Sequence, residues 1–184
     1  MVCYLIRHGK DDDSVRGGLS DSPLIDEGIR KVKRLSEKIL SDNQIYIDKI
    51  YTSDLPRARQ TADILSEALS IPVIEASEFR ETDNGVLAGM DHRLAEKHFP
   101  GLYWSTLDWD EPYPNGESPH QFYNRIADAW YSFKKEARKH HHNIALVTHG
   151  GVINVIQCIE NNISYSNKAN PFPIGYAEII KIQL

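Results

Sequence analysis

Short apolar runs alternate with segments of helical periodicity along the whole chain, and this alternation constrains the fold more than any other feature. VCYLIR (2–7) reads as a strand. Residues 26 to 42 place Ile29, Val32, Leu35 and Ile39 at spacings of three and four, one helix face with Asp26 as the expected N-cap. IDKIYTS (47–53) is a second strand. DLPRARQTADILSEALS then sets Leu55, Ala58, Ala62, Leu65 and Leu69 on one helix face, with Ser53 or Asp54 as cap and Pro56 in the first turn. PVIEA (72–76) is a third strand, and residues 77 to 117 are less regular. Ser118 and Gln121 have capping-box spacing and open a long helix that buries Phe122, Ile126, Ala129, Phe133 and Ala137. NIALVTHGG (143–151) is a buried strand, VINVIQCIE a helix and GYAEIIKIQL a closing strand. Strands alternating with helices predict an α/β fold, a three-layer α/β/α sandwich with a mostly parallel central sheet.

Length and charge narrow the possibilities. The 184 residues suit one domain, 1–184, able to bury a full core. The net charge of −5 and the lack of any basic tract argue against a nucleic-acid partner, so an anion site would have to be local. Cys3 and Cys158 lie in apolar runs and read as buried free thiols. Neither a signal-peptide pattern nor an apolar stretch of membrane-spanning length is visible, which predicts a cytoplasmic protein with no membrane partner. The histidines of KHHHN (139–143) are consecutive at a helix end and do not converge, so no metal is expected there. The oligomeric state is not legible.

Two strands end alike, one in Arg7-His8-Gly9 and the other in Thr148-His149-Gly150-Gly151. In an open parallel sheet, ligands bind beyond the carboxyl ends of the strands. Parallel pairing would bring both histidines to that edge, with Arg57 from the helix after IYTS. His8, His149, Arg7 and Arg57 would then form a cationic pocket on an acidic protein. Guanidinium forks match phosphate oxygens, and a histidine can carry a phosphoryl group covalently. Helix N-termini at the same edge, such as Gly150, offer free N–H groups, and glycine after each histidine keeps the backbone clear.

RHG (7–9), SDLPRARQTA (53–62), FRETDNG (79–85), GES (116–118) and VTHGG (147–151) together resemble the histidine phosphatase superfamily, in the branch that contains the cofactor-dependent phosphoglycerate mutases. The resemblance covers nearly the whole chain in order. It implies that His8 is the nucleophile, that Arg7 and Arg57 bind phosphate, that His149 completes the pocket and that Glu81 is the proton donor, with Asp83 as its local rival. The implied activity is metal-independent and cofactor-independent phosphomonoester hydrolysis through phosphohistidine, on a small-molecule substrate. Mutase-type transfer and a phosphate-binding module without turnover are the alternatives.

The chain departs from the family pattern after RHG. Lys10 and Ser14 stand where many members have glutamate and asparagine. Ser14 is expected to donate to a phosphate oxygen, and Lys10 either to reach the pocket mouth or to pair within Asp11–Asp13, a triplet that reads as a solvated loop. Arg16 is a possible substrate contact. Asp108, Asp110 and Glu111 flank Trp104 and Trp109, and a carboxylate-rich cover of this kind would disfavour a second anionic group on the substrate and so favour hydrolysis over mutase transfer.

Overall fold

The computed structural model describes residues 1–184. Its strands are β1 (Val2–Arg7), β2 (Lys49–Thr52), β3 (Val73–Glu75), β4 (Ile144–Thr148) and β5 (Ile179–Gln183). They form one sheet in the order β3-β2-β4-β1-β5. All pairings are parallel except β1 with β5, which is antiparallel. The helices are α1 (Asp26–Ser41), α2 (Pro56–Leu69), α3 (His92–His98), α4 (Pro119–His140) and α5 (Gly150–Glu160). The expected α/β architecture is therefore present.

Alternation along the strands builds the three layers. On one face of the sheet Tyr4, Ile6, Ala145 and Val147 meet Val32, Leu35 and Ile39 of α1 and Ala58, Ala62 and Leu65 of α2. On the other, Cys3, Leu5 and Leu146 meet Phe122, Ile126 and Trp130 of α4 and Val152, Ile153 and Ile156 of α5. β4 is buried on both faces along its whole length, which explains why it reads as an unbroken apolar run. Each such fully buried aliphatic side chain contributes roughly 1.5–3 kcal/mol. A small third cluster of Leu87, Ala95, Leu107 and Tyr113 organises the irregular region between β3 and α4.

The caps differ in detail from expectation. Ile25, not Asp26, holds the N-cap position of α1, and Asp26 and Glu27 fall in its first turn, where carboxylates suit the helix dipole. Leu55 occupies the cap position of α2, its N–H donating to Ser53 Oγ at 3.4 Å. The capping box of α4 forms as expected: Gln121 N–H donates to Ser118 Oγ, and Ser118 N–H donates to Gln121 Oε1. Cys3 and Cys158 are buried free thiols. No helix is long and apolar enough to cross a membrane.

Candidate active site at the carboxyl edge of the sheet

The sheet order explains how residues from distant parts of the sequence meet. β1 and β4 are neighbours, with Arg7 opposite Thr148. The next residue of each strand is a histidine, so His8 and His149 leave the sheet side by side, ring centroids 5.1 Å apart. Both are almost fully buried. The His8 N–H donates to Thr148 O, and the Ala177 N–H is shared between the carbonyls of Arg7 and His8.

The geometry sets the tautomer of His8. Its Nδ1 lies 2.7 Å from Gly9 O. A carbonyl only accepts, so Nδ1 carries the hydrogen and Nε2 keeps its lone pair. Arg57 Nε donates to that Nε2 at 3.3 Å. Burial, then the Arg57 charge, hold the His8 pKa well below its ordinary value. His8 is thus a neutral imidazole with an available nitrogen. Gly9 is required by packing rather than by ligand approach, because a Cβ there would lie 2.7 Å from Val32 Cγ2 of α1.

The cations are held by backbone. Arg57, second residue of α2, donates to Ser20 O and Gly18 O at 2.9 and 2.7 Å. Arg7 donates to Ile174 O at 2.6 Å and lies over the Tyr176 ring, 3.9 Å from its centroid. Arg7 Nε is buried and makes no hydrogen bond. A buried donor left without a partner costs stability and marks a place for an acceptor. His149 Nε2 pairs with Ser53 Oγ at 2.9 Å, while its Nδ1 is likewise buried and unpaired. Burial, then neighbouring His8, keep its pKa well below the ordinary value. Gly150 abuts this group: a Cβ there would sit 3.5 Å from Arg7 Nε.

Glu81 approaches from the loop after β3. Its carboxylate accepts from Gly151 N–H at 3.0 Å, at the first turn of α5. A Cβ on Gly151 would lie 2.5 Å from Glu81 Oε1, so this glycine is what admits the carboxylate. The loop is clamped by Arg125 of α4, which donates to the carbonyls of Glu78, Arg80 and Glu81 and pairs with Glu117. Glu117 also accepts from Asp83 N–H at 2.7 Å. The GES motif therefore secures the acid loop and caps α4. Asp83, the local rival to Glu81, is engaged in a turn with Gly85 N–H.

Other expected residues fall elsewhere. Ser14 is exposed on a turn, its N–H bonded to Asp12, because the chain swings outward after Asp11; it is not brought to the histidines. Lys10 pairs with Glu27 and Asp13. Asp12 and Asp13 are exposed, but Asp11 is not solvated: it is 7% exposed, bridges Leu24 and lies 3.4 Å from Arg57 Nε. The carboxylates of the irregular region turn outward, Asp108 to Lys168 and Asp110 to His120. A cavity of about 510 Å³ beside Glu81 is lined instead by Arg16, His92, Tyr103, Trp104 and Tyr113. Arg16 stacks on Tyr103 at 4.1 Å, and its Nε is buried without a hydrogen bond. The expected acidic cover is thus absent from the cavity wall. A larger groove of about 770 Å³ runs past Tyr51, Arg125, Phe133, Ala137, His140 and His142 and includes none of Arg7, His8, Arg57 and His149.

The chain matches the family model for the histidine phosphatase superfamily (branch 1) over residues 3–184. It is 34% identical over 155 residues to the probable phosphoglycerate mutase GpmB of Proteus mirabilis, covering 82% of this chain and 70% of that protein. It is 30% identical over 158 residues to the uncharacterized phosphatase PhoE of Bacillus subtilis, covering 84% and 74%. The α-ribazole phosphatase from Shigella flexneri superposes with a TM-score of 0.84 at 24% identity, covering 100% of this chain and 91% of that one, a likeness of fold. Five strand-end and loop motifs, one sheet topology and a family match over residues 3–184 agree: the chain belongs to the histidine phosphatase superfamily, branch 1.

Proposed function

We propose that this protein hydrolyses small phosphomonoesters through a phosphohistidine on His8 Nε2. The observation that carries the reading is the paired geometry of His8: Nδ1–H spent on Gly9 O, and Nε2 facing Arg57. In the first step Nε2 attacks phosphorus in line as the bond to the leaving oxygen breaks. Arg7, Arg57 and His149 hold the charge on the equatorial oxygens, and such preorganised donors supply much of the catalysis. Gly150, at the start of α5, completes their surroundings. Glu81, in its protonated form, gives its proton to the leaving alkoxide. In the second step water attacks phosphorus, Glu81 takes the water proton, and the N–P bond breaks to return neutral His8.

Arg16 is the residue that favours particular leaving groups. Its guanidinium, without a carboxylate partner, faces the aromatic cavity beside Glu81 and suits an ester whose leaving group carries negative charge. Lys10, paired with Glu27 and Asp13, contributes at most to the outer field. The cationic cavity also supports a second reading, return of the phosphoryl group to a bound phosphorylated acid.

The test is release of p-nitrophenolate from p-nitrophenyl phosphate, with acid-labile labelling of the protein by substrate phosphate. Both should be present in the wild type and lost in His8→Ala. No release under conditions where phosphate binds would overturn the enzyme reading. Transfer to 3-phosphoglycerate in preference to water, with 2,3-bisphosphoglycerate as donor, would favour the mutase.

A further inference from the structure

The phosphate cradle contains an internal anion. Asp11 is the first residue of the acidic triplet, and its bridge to Leu24 turns it inward while Asp12 and Asp13 face solvent. Its Oδ2 stands 3.4 Å from Arg57 Nε, the same N–H that reaches the nucleophilic nitrogen of His8. Arg57 has its Nη1 on Ser20 and one Nη2 contact on Gly18 O, so Nε is the part of the fork turned to both His8 and Asp11. Facing Asp11 are Arg57 from α2, Arg7 from the end of β1 and Asp12 beside it, while His8 is linked to it through the shared Arg57 Nε–H. Glu81 and Tyr176 act on Arg57 from other sides of the pocket, and Lys10 turns away to Glu27 and Asp13.

A carboxylate and a phosphoryl dianion cannot share one guanidinium N–H at close range without repulsion. Protonated, the same carboxyl becomes a donor and fits among the phosphoryl oxygens. On the reading that His8 and Arg57 bind a phosphoryl group, we propose that Asp11 is a specificity-setting member of the cradle that takes up one solvent proton as that group binds. Its carboxylate then gives up the Arg57 Nε–H, and its new O–H donates to a phosphoryl oxygen. Burial already raises the Asp11 pKa against the pull of Arg57, so the proton is taken up more readily than by a surface aspartate. Asp11 thereby couples phosphate affinity to pH.

Calorimetric titration with inorganic phosphate, in buffers of different ionisation enthalpy between pH 5 and 8, tests this without any turnover. Wild type should take up more protons per phosphate at pH 8 than Asp11→Asn, the difference approaching about one. The variant should bind phosphate about tenfold more tightly than wild type at pH 8, converging toward wild type at pH 5. Taking the ratio of the two proteins cancels the ionisation of phosphate itself and of the histidines. Asp11→Ser, which also lacks the charge, should follow Asp11→Asn. Equal proton uptake in wild type and variants overturns the proposal, as does weaker binding in both variants at every pH, which would make Asp11 only a brace for Arg57. Wild type that takes up no proton at pH 8 overturns it whatever the variants do. p-Nitrophenyl phosphate turnover alongside separates the two readings: hydrolysis with no Asp11 effect removes only this proposal, whereas no phosphate binding at any pH removes both.

Discussion

Arg57 Nε and His8 Nε2 lie 3.3 Å apart, and the other nitrogen of His8 is committed to Gly9 O. The arginine N–H thus meets the one ring lone pair that Gly9 leaves free, the pair that attacks phosphorus on the proposed reading. Arg57→Lys keeps the charge but loses the fork on Ser20 and Gly18. It should lower kcat/KM for p-nitrophenyl phosphate by about 100-fold or more, a loss typical of removing one preorganised donor. Steady-state kinetics check this, with a thermal melt to show that the variant is folded.

Ser53 should matter to stability as well as rate. Its hydroxyl accepts from Leu55 N–H and pairs with His149 Nε2, the one hydrogen bond that the buried ring makes. Ser53→Ala strands a buried imidazole nitrogen. Stability should fall by about 1–3 kcal/mol in urea titration, and kcat should fall while KM changes less.

The two buried histidines predict an acid-side loss of stability. Both have pKa values held below the ordinary 6.5, His8 by burial and then Arg57, His149 by burial and then His8. Below pH 6.5 the unfolded chain binds protons that the folded chain refuses. Their contribution is therefore complete above pH 6.5 and declines as pH falls toward the folded values, by up to about 1.4 kcal/mol per pH unit for each histidine. Urea titrations at pH 8, 6.5 and 5.5 should give a steeper fall for wild type than for His149→Asn.

Glu81→Gln should harm esters of poor leaving groups far more than p-nitrophenyl phosphate, whose leaving group needs no proton. Arg125→Ala should show a weaker version of the same pattern, because it releases the carbonyls that hold the Glu81 loop. Equal losses across leaving groups in both variants would remove Glu81 from the acid role.

Arg16→Gln should raise KM about tenfold for phosphate esters whose leaving group bears a carboxylate or second phosphate, the cost of one charge-assisted contact. Its kinetics on p-nitrophenyl phosphate should stay near wild type. A panel of phosphomonoesters compared by kcat/KM checks both.

What the sequence made legible follows from how each residue is positioned. Arg7, His8 and His149 end buried strands, and Arg57 begins a helix that follows one, so periodicity alone assigned them to one edge of the sheet. Ser14 and Asp11 lie between Gly9 and Leu24, where no period operates; the single bridge of Asp11 to Leu24 decides which carboxylate turns inward. A run of three aspartates gives no hint of that choice. Arg125 was invisible for a different reason. It sits on a helix face that reads as polar, and its partners are carbonyls more than 40 residues earlier in the chain. The outward turn of Asp108 and Asp110 depends on Lys168 and His120, contacts that local composition does not report.

The pairing of β1 with both β4 and β5 has a consequence for how the protein comes to be folded. His8 lies far upstream of its partners, and its carbonyl awaits Ala177 N–H while its ring awaits His149. Loop-closure entropy must be met before such distant contacts repay it, so they form late. During synthesis α1 and α2 can pack while His8 still lacks its surroundings, and β1 stands with both edges open until β4 and β5 emerge. This edge of the sheet is thus a product of a late stage of folding, and the nascent chain passes through an interval in which a strand destined for the sheet interior has neither of its partners.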